Sequence, residues 1–413
     1  MRLSASLVLA GLPIALAGCG TSEPRRDASA PDGAPAEDAA IVTDAGSDAS
    51  AADAAVEADA ATPGDDWLVA GARASCVSRG GEAWCWGSLW TGQTELAPLR
   101  VPALDGAREV ALSWNGACAL FGDGRVECAG GAQNGVLGPG TTGLGRREAF
   151  APVDGVSGAV ALALGDTFAC AVVTDGHVLC WGDDSVGQTG SPIPAHASGS
   201  AAPQPTPAPV TALDEAIAVT AGQYHACALR RDGDVRCWGY GAWGTLGRGD
   251  GGTGGPQPIA ADVAGLDDAR AIAAAGNTTC ALRAEGSVVC WGAALPGVDP
   301  STVDTCVVVV DQACWRAPHL VSELAGALAL DVGSGFACTR RETDWACAGD
   351  DGAGAAHGDG SPATLVRALA AGARHLCTLD DAGAVRCRGR GDEGELGDGR
   401  GTSSTTLVRA LLP

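Results

Sequence analysis

One phrase built around a pair of cysteines recurs along the chain and constrains its fold more than any other feature. The best-preserved copies place two cysteines ten residues apart and follow the second with Trp-Gly. The seven copies lie at Cys76/Cys85, Cys118/Cys128, Cys170/Cys180, Cys227/Cys237, Cys280/Cys290, Cys338/Cys347 and Cys377/Cys387. Their first cysteines are 39 to 58 residues apart. A period near fifty residues that contains short apolar runs favours one β-propeller blade per copy.

Within each copy, two apolar runs flank a turn and predict a β-hairpin. The usual turn is built on Asp-Gly, and the first copy has a two-residue Gly80-Gly81 turn, because glycine tolerates the positive φ that such turns need. Both turn lengths place the two cysteines directly opposite each other, about 4.5–5.5 Å apart, which a disulfide can span. We therefore predict seven cross-strand disulfides. The alternative is seven pairs of buried free thiols, which export would make hard to keep reduced.

The residues beside the cysteines are apolar on both alternating faces, as Ala228 and Leu229 illustrate. A lone hairpin cannot bury both faces, whereas a blade between two neighbours in a closed ring can. The first copy begins abruptly at residues 67–71, and the chain ends with an apolar run at residues 406–410 that no further copy follows. This pattern predicts that the C-terminal strand completes the first blade and so leaves no open edge.

The repeated phrases resemble the repeats of the regulator of chromosome condensation family. The fourth copy shows nearly every element, with Gly222-Gln-Tyr-His-Ala-Cys-Ala-Leu229, then Trp238-Gly239, then Gly244-Thr-Leu-Gly247. The resemblance covers residues 67–413 and implies an all-β fold, a seven-bladed β-propeller of regulator-of-chromosome-condensation type. The chain is also similar to exported bacterial propellers, namely the α-tubulin-suppressor-like propeller lipoproteins and a secreted inhibitor of β-lactamases.

The chain departs from the family pattern at several positions. Trp-Gly becomes Ala129-Gly130, Ala348-Gly349 and Arg388-Gly389, and the fifth copy lacks the closing Gly-x-Leu-Gly. We find no match to an insertion that would contact a GTPase, so nucleotide exchange is not carried over from the family name. A fold by itself does not transfer a function.

The N-terminus resembles a bacterial lipoprotein signal. Residues 1–18 combine a short basic start with an apolar stretch, and the Leu16-Ala17-Gly18-Cys19 box predicts cleavage before Cys19 and lipid, palmitate included, on that cysteine. The alternative is an ordinary secretory signal with an incidental cysteine. A lipid on Cys19 leaves sixteen cysteines, an even number. Because Gly20 gives no inner-membrane retention signal of the Asp type, we expect an outer-membrane lipoprotein of the cell envelope.

Residues 19–66 are dominated by Ala, Asp, Pro, Ser and Gly and predict a disordered tether between the lipid and the propeller at residues 67–413. Residues 20–66 hold twelve acidic residues against Arg25 and Arg26. The predicted propeller itself carries 37 acidic residues and 23 arginines, a net charge of −14, and the chain contains no lysine. This charge disfavours nucleic-acid partners, which are held through their phosphates. We expect a monomer.

No motif for catalysis, metal binding or a cofactor stands out. The six histidines, at 177, 196, 225, 319, 357 and 375, have no zinc-site spacing, and the Asp-Gly pairs that could suggest calcium lie at hairpin turns. His225 and His375 occupy the same repeat position, which favours a structural role. We therefore expect neither a metal nor another cofactor and no enzymatic activity, although a hydrolase whose residues converge in the central channel is a second alternative.

The loop before the first cysteine recurs in every copy, so its residues should ring one face of the propeller. Trp90, Trp114, Trp243 and Trp315 also fall in predicted loops, and exposed aromatic residues supply much of the energy at interfaces. We predict a partner-binding rim formed by Arg73, Trp114, Asn115, Thr167, Gln223, Tyr224, Asn277 and Arg374. The alternative is ordinary surface loops with Trp114 packed inward.

Two insertions interrupt the repeat. Residues 192–209 are rich in Pro, Ala and Ser and predict a flexible loop, whereas residues 293–318 contain Cys306 and Cys314, which predict an eighth disulfide closing a small protruding loop. Together these features favour a lipid-anchored propeller that binds a protein or a glycan of the cell envelope. An inhibitor of a β-lactamase or another cell-wall enzyme is the first alternative.

Overall fold

The computed structural model describes residues 66–141, 143, 145–191, 203–249, 255–297, 302–307, 311–352, 354 and 365–413. The predicted signal peptide, the lipidation site Cys19 and the tether up to residue 65 lie outside the described residues. The described part of the chain is built from strands, turns and short 3₁₀ turns at Pro102–Leu104, Gln133–Gly135, Ala242–Gly244 and Ser322–Leu324. No described helix is long and apolar enough to cross a membrane.

The strands form seven antiparallel sheets that follow one another along the chain. Sheet one is β1 (Leu68–Ala70), β2 (Ala74–Arg79), β3 (Glu82–Ser88) and β4 (Thr94–Arg100). Sheet two is β5 (Ala107–Leu112), β6 (Gly116–Phe121), β7 (Val126–Gly131) and β8 (Arg146–Pro152). Sheet three is β9 (Ala159–Leu164), β10 (Phe168–Val173), β11 (Val178–Gly182) and β12 (Gln204–Pro209).

The remaining four sheets complete the set. Sheet four is β13 (Ala216–Ala221), β14 (His225–Arg230), β15 (Val235–Tyr240) and β16 (Pro256–Asp262). Sheet five is β17 (Ala269–Ala275), β18 (Thr278–Arg283), β19 (Val288–Ala293), β20 (Asp304–Val307) and β21 (Asp311–Leu320). Sheet six is β22 (Ala329–Gly333), β23 (Phe336–Arg340) and β24 (Trp345–Gly349). Sheet seven is β25 (Val366–Ala371), β26 (His375–Asp380), β27 (Val385–Gly389) and β28 (Ser404–Arg409).

The first strand of each sheet contacts the first strand of the next sheet, from β1 through β5, β9, β13, β17 and β22 to β25. The strand β25 then contacts β1, so the first strands line a closed ring. The sheets are therefore the seven blades of a β-propeller, and the predicted fold class is confirmed. Their apolar side chains pack between neighbouring blades, where most of the buried core lies.

The ring closes differently from the prediction. The C-terminal strand β28 pairs with β27 of the seventh blade, and the first blade receives its inner strand from Leu68–Ala70 just ahead of β2. Each blade is thus one continuous segment of the chain, and the predicted exchange of a C-terminal strand is wrong. Pairing between adjacent strands closes only short loops, which costs less entropy than pairing the two chain ends.

The facing cysteines of all seven repeats are bonded, each pair joining the second and third strands of its blade. The seven pairs are Cys76–Cys85, Cys118–Cys128, Cys170–Cys180, Cys227–Cys237, Cys280–Cys290, Cys338–Cys347 and Cys377–Cys387. Their Cα atoms are 4.0–4.1 Å apart. Pairs separated by nine residues and pairs separated by ten residues therefore face each other in the same way, as predicted.

The two insertions have different structures. In the fifth blade, β20 and the first half of β21 form a hairpin at the outer edge, closed by the disulfide Cys306–Cys314, while the second half of β21 is the fourth strand of the blade. The end of the other insertion is not a loop, because Gln204–Pro209 forms the outer strand β12. Prolines are tolerated there since an edge strand leaves alternate N–H groups unused. Residues 192–202 lie outside the described part of the chain.

Two repeat motifs together form the joints between blades. The indole Nε1 of each motif tryptophan donates a hydrogen bond to the backbone oxygen of the second residue of Gly-x-Leu-Gly, or its variant Gly-x-Thr-Gly, in the preceding blade. These contacts are Trp86 to Glu395 (2.8 Å), Trp181 to Val136 (2.7 Å), Trp238 to Gln188 (3.0 Å) and Trp291 to Thr245 (3.0 Å). The contact from Trp86 to Glu395 joins the first and seventh blades, so the same joint closes the ring.

A candidate binding face at one end of the ring

The predicted rim residues all lie in the connections between the first and second strands of their blades. Each comes just before the second strand, as Arg73 precedes β2 and Arg374 precedes β26. Because the first strands line the central channel and run in the same direction, their ends meet at one face of the ring. The structure therefore brings the eight predicted residues to one end of the channel. Their role in binding a partner stays a prediction.

A repeated backbone hydrogen bond fixes every rim loop. The carbonyl oxygen of the loop's last residue accepts the N–H of the residue that follows the third-strand glycine, and this occurs in all seven blades. The accepting oxygens belong to Arg73, Asn115, Thr167, Tyr224, Asn277, Gly335 and Arg374, at nitrogen–oxygen distances of 2.7–3.0 Å. The backbone of the rim is therefore a constant frame, and its side chains are free to differ between blades.

Trp114 is the exposed aromatic residue of the rim. Its side chain is 41% exposed, whereas the four motif tryptophans are fully buried. The Arg73 guanidinium lies 5.4 Å from the Trp114 ring centroid, donates a hydrogen bond to the Trp114 carbonyl oxygen at 3.0 Å and pairs with Glu393 at 3.3 Å. The inward-packed alternative for Trp114 is therefore not what the structure shows. A rigidly held, exposed Trp beside an Arg is the composition of many interface hot spots.

The sector of the rim in the third and fourth blades is polar and acidic. Tyr224 is half-buried, and burial raises the pKa of its hydroxyl, with the nearby Asp166 and Asp183 carboxylates adding to the effect. The Thr167 hydroxyl donates to Asp183 at 3.2 Å, and the Gln223 side chain hydrogen bonds to Asp166. This sector can accept hydrogen bonds or positive charge from a ligand.

The other loop tryptophans do not contribute to the rim. Trp90 is 5% exposed and packs edge-on against Phe150, with ring centroids 5.1 Å apart. Trp315 is 2% exposed and stacks on His319 at 4.9 Å. Both fill joints between blades, so a loop position in the repeat did not predict exposure for them. Trp243 is half-buried and contacts Tyr240.

The mouth of the central channel lies inside the rim and forms a cavity of about 210 Å³. Small residues make up most of its wall, and two carboxylates, Asp166 and Asp331, line it. Asp331 accepts hydrogen bonds from the backbone N–H groups of Val332 (2.9 Å) and Ala371 (2.8 Å). Burial raises the pKa of both carboxyl groups to about 6, partly offset by those hydrogen bonds at Asp331 and by Gln223 at Asp166. The mouth is a small, negatively charged depression.

The two repeat histidines are fully buried and connect blades. The Nε2 atom of His225 lies 2.7 Å from the Thr279 hydroxyl of the fifth blade, and that of His375 lies 2.7 Å from the Ser75 hydroxyl of the first blade. Burial lowers the pKa of each imidazole to about 4, so both are neutral at pH 7. Their position inside the blade joints agrees with the structural role that the repeat pattern favours.

Some residues of this face were not predicted from the sequence. Asp331 lies within the inner strand β22, and Ser334 lies in the sixth-blade loop, for which no rim residue was predicted. Glu393, which holds Arg73, comes from the loop after β27. Only Asp166 had a usable sequence signal, because it directly precedes the predicted rim residue Thr167. Among the described residues, no group of three or more His, Cys, Asp or Glu side chains is placed to hold a metal ion.

Sequence comparison identifies the repeat and gives distant relatives. The model of the regulator of chromosome condensation (RCC1) repeat matches residues 159–188 and 216–242, in the third and fourth blades. The human E3 ubiquitin-protein ligase HERC2 is 28% identical over 319 residues, which cover 71% of this chain and 6% of HERC2. Mouse HERC2 is 27% identical over 323 residues with the same coverage. The chain thus spans about 6% of the length of these relatives.

Solved structures share the fold. Human WBSCR16 superposes with a TM-score of 0.64 at 17% identity, over 77% of this chain and 86% of that one. Prp20p from Saccharomyces cerevisiae superposes with a TM-score of 0.53 at 18% identity, over 84% of this chain and 76% of Prp20p. At such identities the likeness concerns the fold alone. The chain therefore carries matches to the RCC1 repeat in its third and fourth blades and shares the propeller fold of these structures.

Proposed function

We propose that this protein is a cell-envelope lipoprotein whose propeller binds a protein partner through the rim face, without catalysis. One observation carries the proposal. The seven rim loops share a single backbone frame, while their side chains differ and include an exposed Trp114 stacked against Arg73. A constant frame with variable side chains is how rigid scaffolds present binding residues.

A protein is a better candidate than a glycan for the partner. The crystal structure of Prp20p is described together with its binding to Gsp1p and histones, so a propeller of this fold has protein partners in yeast. The aromatic and arginine side chains at the rim are also those that dominate protein interfaces. Glycan binding is an outcome that the test below distinguishes.

The envelope location rests on the sequence at Cys19 and the acidic segment that follows it. A lipid on Cys19 would hold the propeller near a membrane surface, and the net charge of residues 20–66 would keep that segment extended and away from anionic head groups. The substitution Cys19→Ser should release the protein into the soluble fraction and abolish labelling by a palmitate analogue. A Cys19→Ser protein that still labels and sediments with membranes contradicts the anchor.

The binding role is tested by quantitative capture from an envelope extract. Wild-type protein is compared with the double variant Trp114→Ala/Tyr224→Ala and with Ile259→Ala, a matched control that removes an apolar side chain 50% exposed on the outer strand β16. We expect specific protein partners to fall at least tenfold for the rim variant and to stay unchanged for the control. Equal partner sets for all three proteins would reject the rim as the binding face. Pretreating the extract with protease separates protein from glycan partners.

A further inference from the structure

We propose that the channel mouth is a socket for one cationic side chain, the ammonium or guanidinium end of a Lys or Arg on the partner that the rim binds. The inference rests on the proposed function, since the rim would position that partner. The socket adds to the proposed function the chemical identity of the partner residue that enters the ring.

The size of the mouth favours a single side chain. Its volume is about 210 Å³. Pockets for drug-sized molecules usually measure about 300–1,000 Å³, so the mouth is small for a complete small-molecule ligand. A long side chain entering from a docked surface needs only this much room. The position at the centre of the rim also matches the place where interface hot spots concentrate.

The charge of the mouth favours a cation. Asp166 and Asp331 both line it, and the described residues of its wall include no Arg, Lys or His. Arg73, which stacks on Trp114 at the edge of the mouth, is already paired with Glu393. An ionised carboxylate in a partly buried site is costly unless an opposite charge accompanies it. A partner's cation would supply that charge.

Both carboxylates keep acceptor capacity for such a ligand. A carboxylate has about four lone-pair sites. Asp331 uses two of them for the N–H groups of Val332 and Ala371, and Asp166 receives a hydrogen bond from Gln223. Charged hydrogen bonds to the remaining positions would be stronger than neutral ones.

The wall of the mouth suits the aliphatic part of a basic side chain. Leu112, Leu164 and Val332 line it together with alanines and glycines. Lys and Arg bury their methylene stems against apolar surface while their charged ends reach polar groups. Apolar walls with carboxylates therefore match both halves of such a side chain.

The same cavity is a poor catalytic site. Two carboxylates with raised pKa can serve acid–base chemistry, but backbone N–H groups hold both oxygens of Asp331, so this carboxyl group is not free to move toward a reacting atom. The small volume also leaves little room for a reacting substrate.

The socket can be tested without knowing the partner. Saturation-transfer NMR on the full mature protein would measure binding of n-pentylammonium, with n-pentanol as the neutral probe of similar shape. We expect millimolar binding of the cation at pH 8, at least tenfold tighter than the alcohol. Binding should weaken at least fivefold at pH 5, because the two mouth carboxyl groups take up protons while the amine stays charged. Asp183 and the Tyr224 hydroxyl are the titratable groups beside Asp166, and the raised pKa of the hydroxyl keeps it neutral in this range.

Substitutions locate the site. Asp166→Asn should weaken n-pentylammonium binding at least fivefold, and Asp175→Asn, at the hairpin turn between β10 and β11 of the same blade, should not. Asp166→Asn is the primary variant because Asp331 also holds two blades together, and an Asp331→Asn protein is informative only with an unchanged unfolding temperature. Equal binding of alcohol and amine, or full affinity in Asp166→Asn, overturns the socket. If that happens while capture still depends on Trp114 and Tyr224, the rim function stands. If capture does not depend on Trp114 and Tyr224 while the amine still binds, the socket stands and the rim function fails.

Discussion

A single glycine position is kept in every blade even where its neighbour is lost. The seven residues are Gly87, Gly130, Gly182, Gly239, Gly292, Gly349 and Gly389, and all have positive φ. A Cβ atom on any of them would lie within 3.0 Å of the rim carbonyl oxygen that anchors its loop. The tryptophan before this glycine can become Ala or Arg, because it packs between blades. The glycine cannot change, because it is where the third strand passes under the rim loop.

Replacing one of these glycines should damage both stability and the rim. For Gly239→Ala, with φ +104° and the added Cβ 2.6 Å from the Tyr224 carbonyl oxygen, we expect a loss of about 2–4 kcal/mol in unfolding free energy. Gly255→Ala in the same blade is the control, since its Cβ meets nothing within 4 Å. Urea unfolding of both variants is the measurement. Equal stability of Gly239→Ala and wild type would show that the rim loop can move away from the added Cβ atom without cost.

Residues of the rim face can be predicted from the sequence where the repeat fixes their position, and cannot be where it does not. Arg73 and Tyr224 were placed on the rim because they precede a marked cysteine by a fixed count. Asp331 was missed because it lies inside an inner strand, where nothing local distinguishes the channel end from any other position. Trp315 lies in strand β21 and not in the predicted loop, because the extra hairpin shifts its strand.

The two motifs that form a joint between blades are present together or absent together. Three blades lack the motif tryptophan, the second, sixth and seventh, and the blades before them, the first, fifth and sixth, lack Gly-x-Leu-Gly. Each altered joint has its own filling. Leu89 and Trp90 pack with Ala129, Leu295 and Trp315 pack with Ala348, and the Trp345 ring lies 5.7 Å from the Arg388 guanidinium, which pairs with Asp351. The tryptophan and the Gly-x-Leu-Gly of the preceding blade form one contact. When one of them is absent, the other no longer has a partner at that joint.

The histidine joints should make stability depend on pH. The unfolded imidazole has a pKa near 6.5, whereas buried His225 and His375 have a pKa of about 4. At each of these two histidines the unfolded state therefore binds more protons between these values, and its contribution to stability is lost as the pH falls from 6.5 to 4, by up to about 1.4 kcal/mol per pKa unit. The raised pKa values of Asp166 and Asp331 act in the opposite direction.

The chain itself supplies the substitution that tests this. Phe168 occupies the histidine position in the third blade and packs with Ala226 of the next. We expect the unfolding free energy of His225→Phe/Thr279→Ala to fall less than that of the wild type between pH 6.5 and 4.5, measured by urea unfolding, because one of the two buried imidazoles is then gone while the other shifted groups are kept. His177→Gln, at an exposed turn, should leave the pH dependence as it is. An unchanged slope in the double variant would mean that other groups cause the acid sensitivity.

The hairpins and the facing cysteines could be predicted, since both follow from turn length and a period-two pattern. Ring closure could not. The strand Leu68–Ala70 has three residues, too few for a periodic signal, and the C-terminal run looked like a strand without a partner although its partner was β27, immediately before it.

At the scale of the whole molecule, the ring has one seam without a covalent link between blades. It lies between the seventh and first blades, where Trp86 donates to Glu395, His375 contacts Ser75, and Arg367 pairs with Asp66 at 2.8 Å. Every other joint is also spanned by the chain. The seam therefore depends on side-chain and backbone contacts alone.

Weakening the seam should open the ring locally. We expect Trp86→Ala to speed hydrogen exchange selectively in β1 and in the seventh blade, because loss of one large buried side chain costs about 3–5 kcal/mol at that joint. The matched variant Trp238→Ala removes the same contact at a covalently spanned joint and should lower global stability without that local pattern. Identical exchange maps for the two proteins would show that the seam is no weaker than the other joints.

Because every blade is a single uninterrupted stretch of chain, the unit of structure is also a unit that a gene can copy or delete. Adding a blade would break no existing strand pair and would require only two compatible joints, one on each side. A ring closed by an exchanged strand would not allow this at its first blade. At three joints the motif tryptophan and the Gly-x-Leu-Gly of the preceding blade are both absent. A copied blade would therefore need to fit the blades on either side of it, and would not need to keep a fixed consensus sequence.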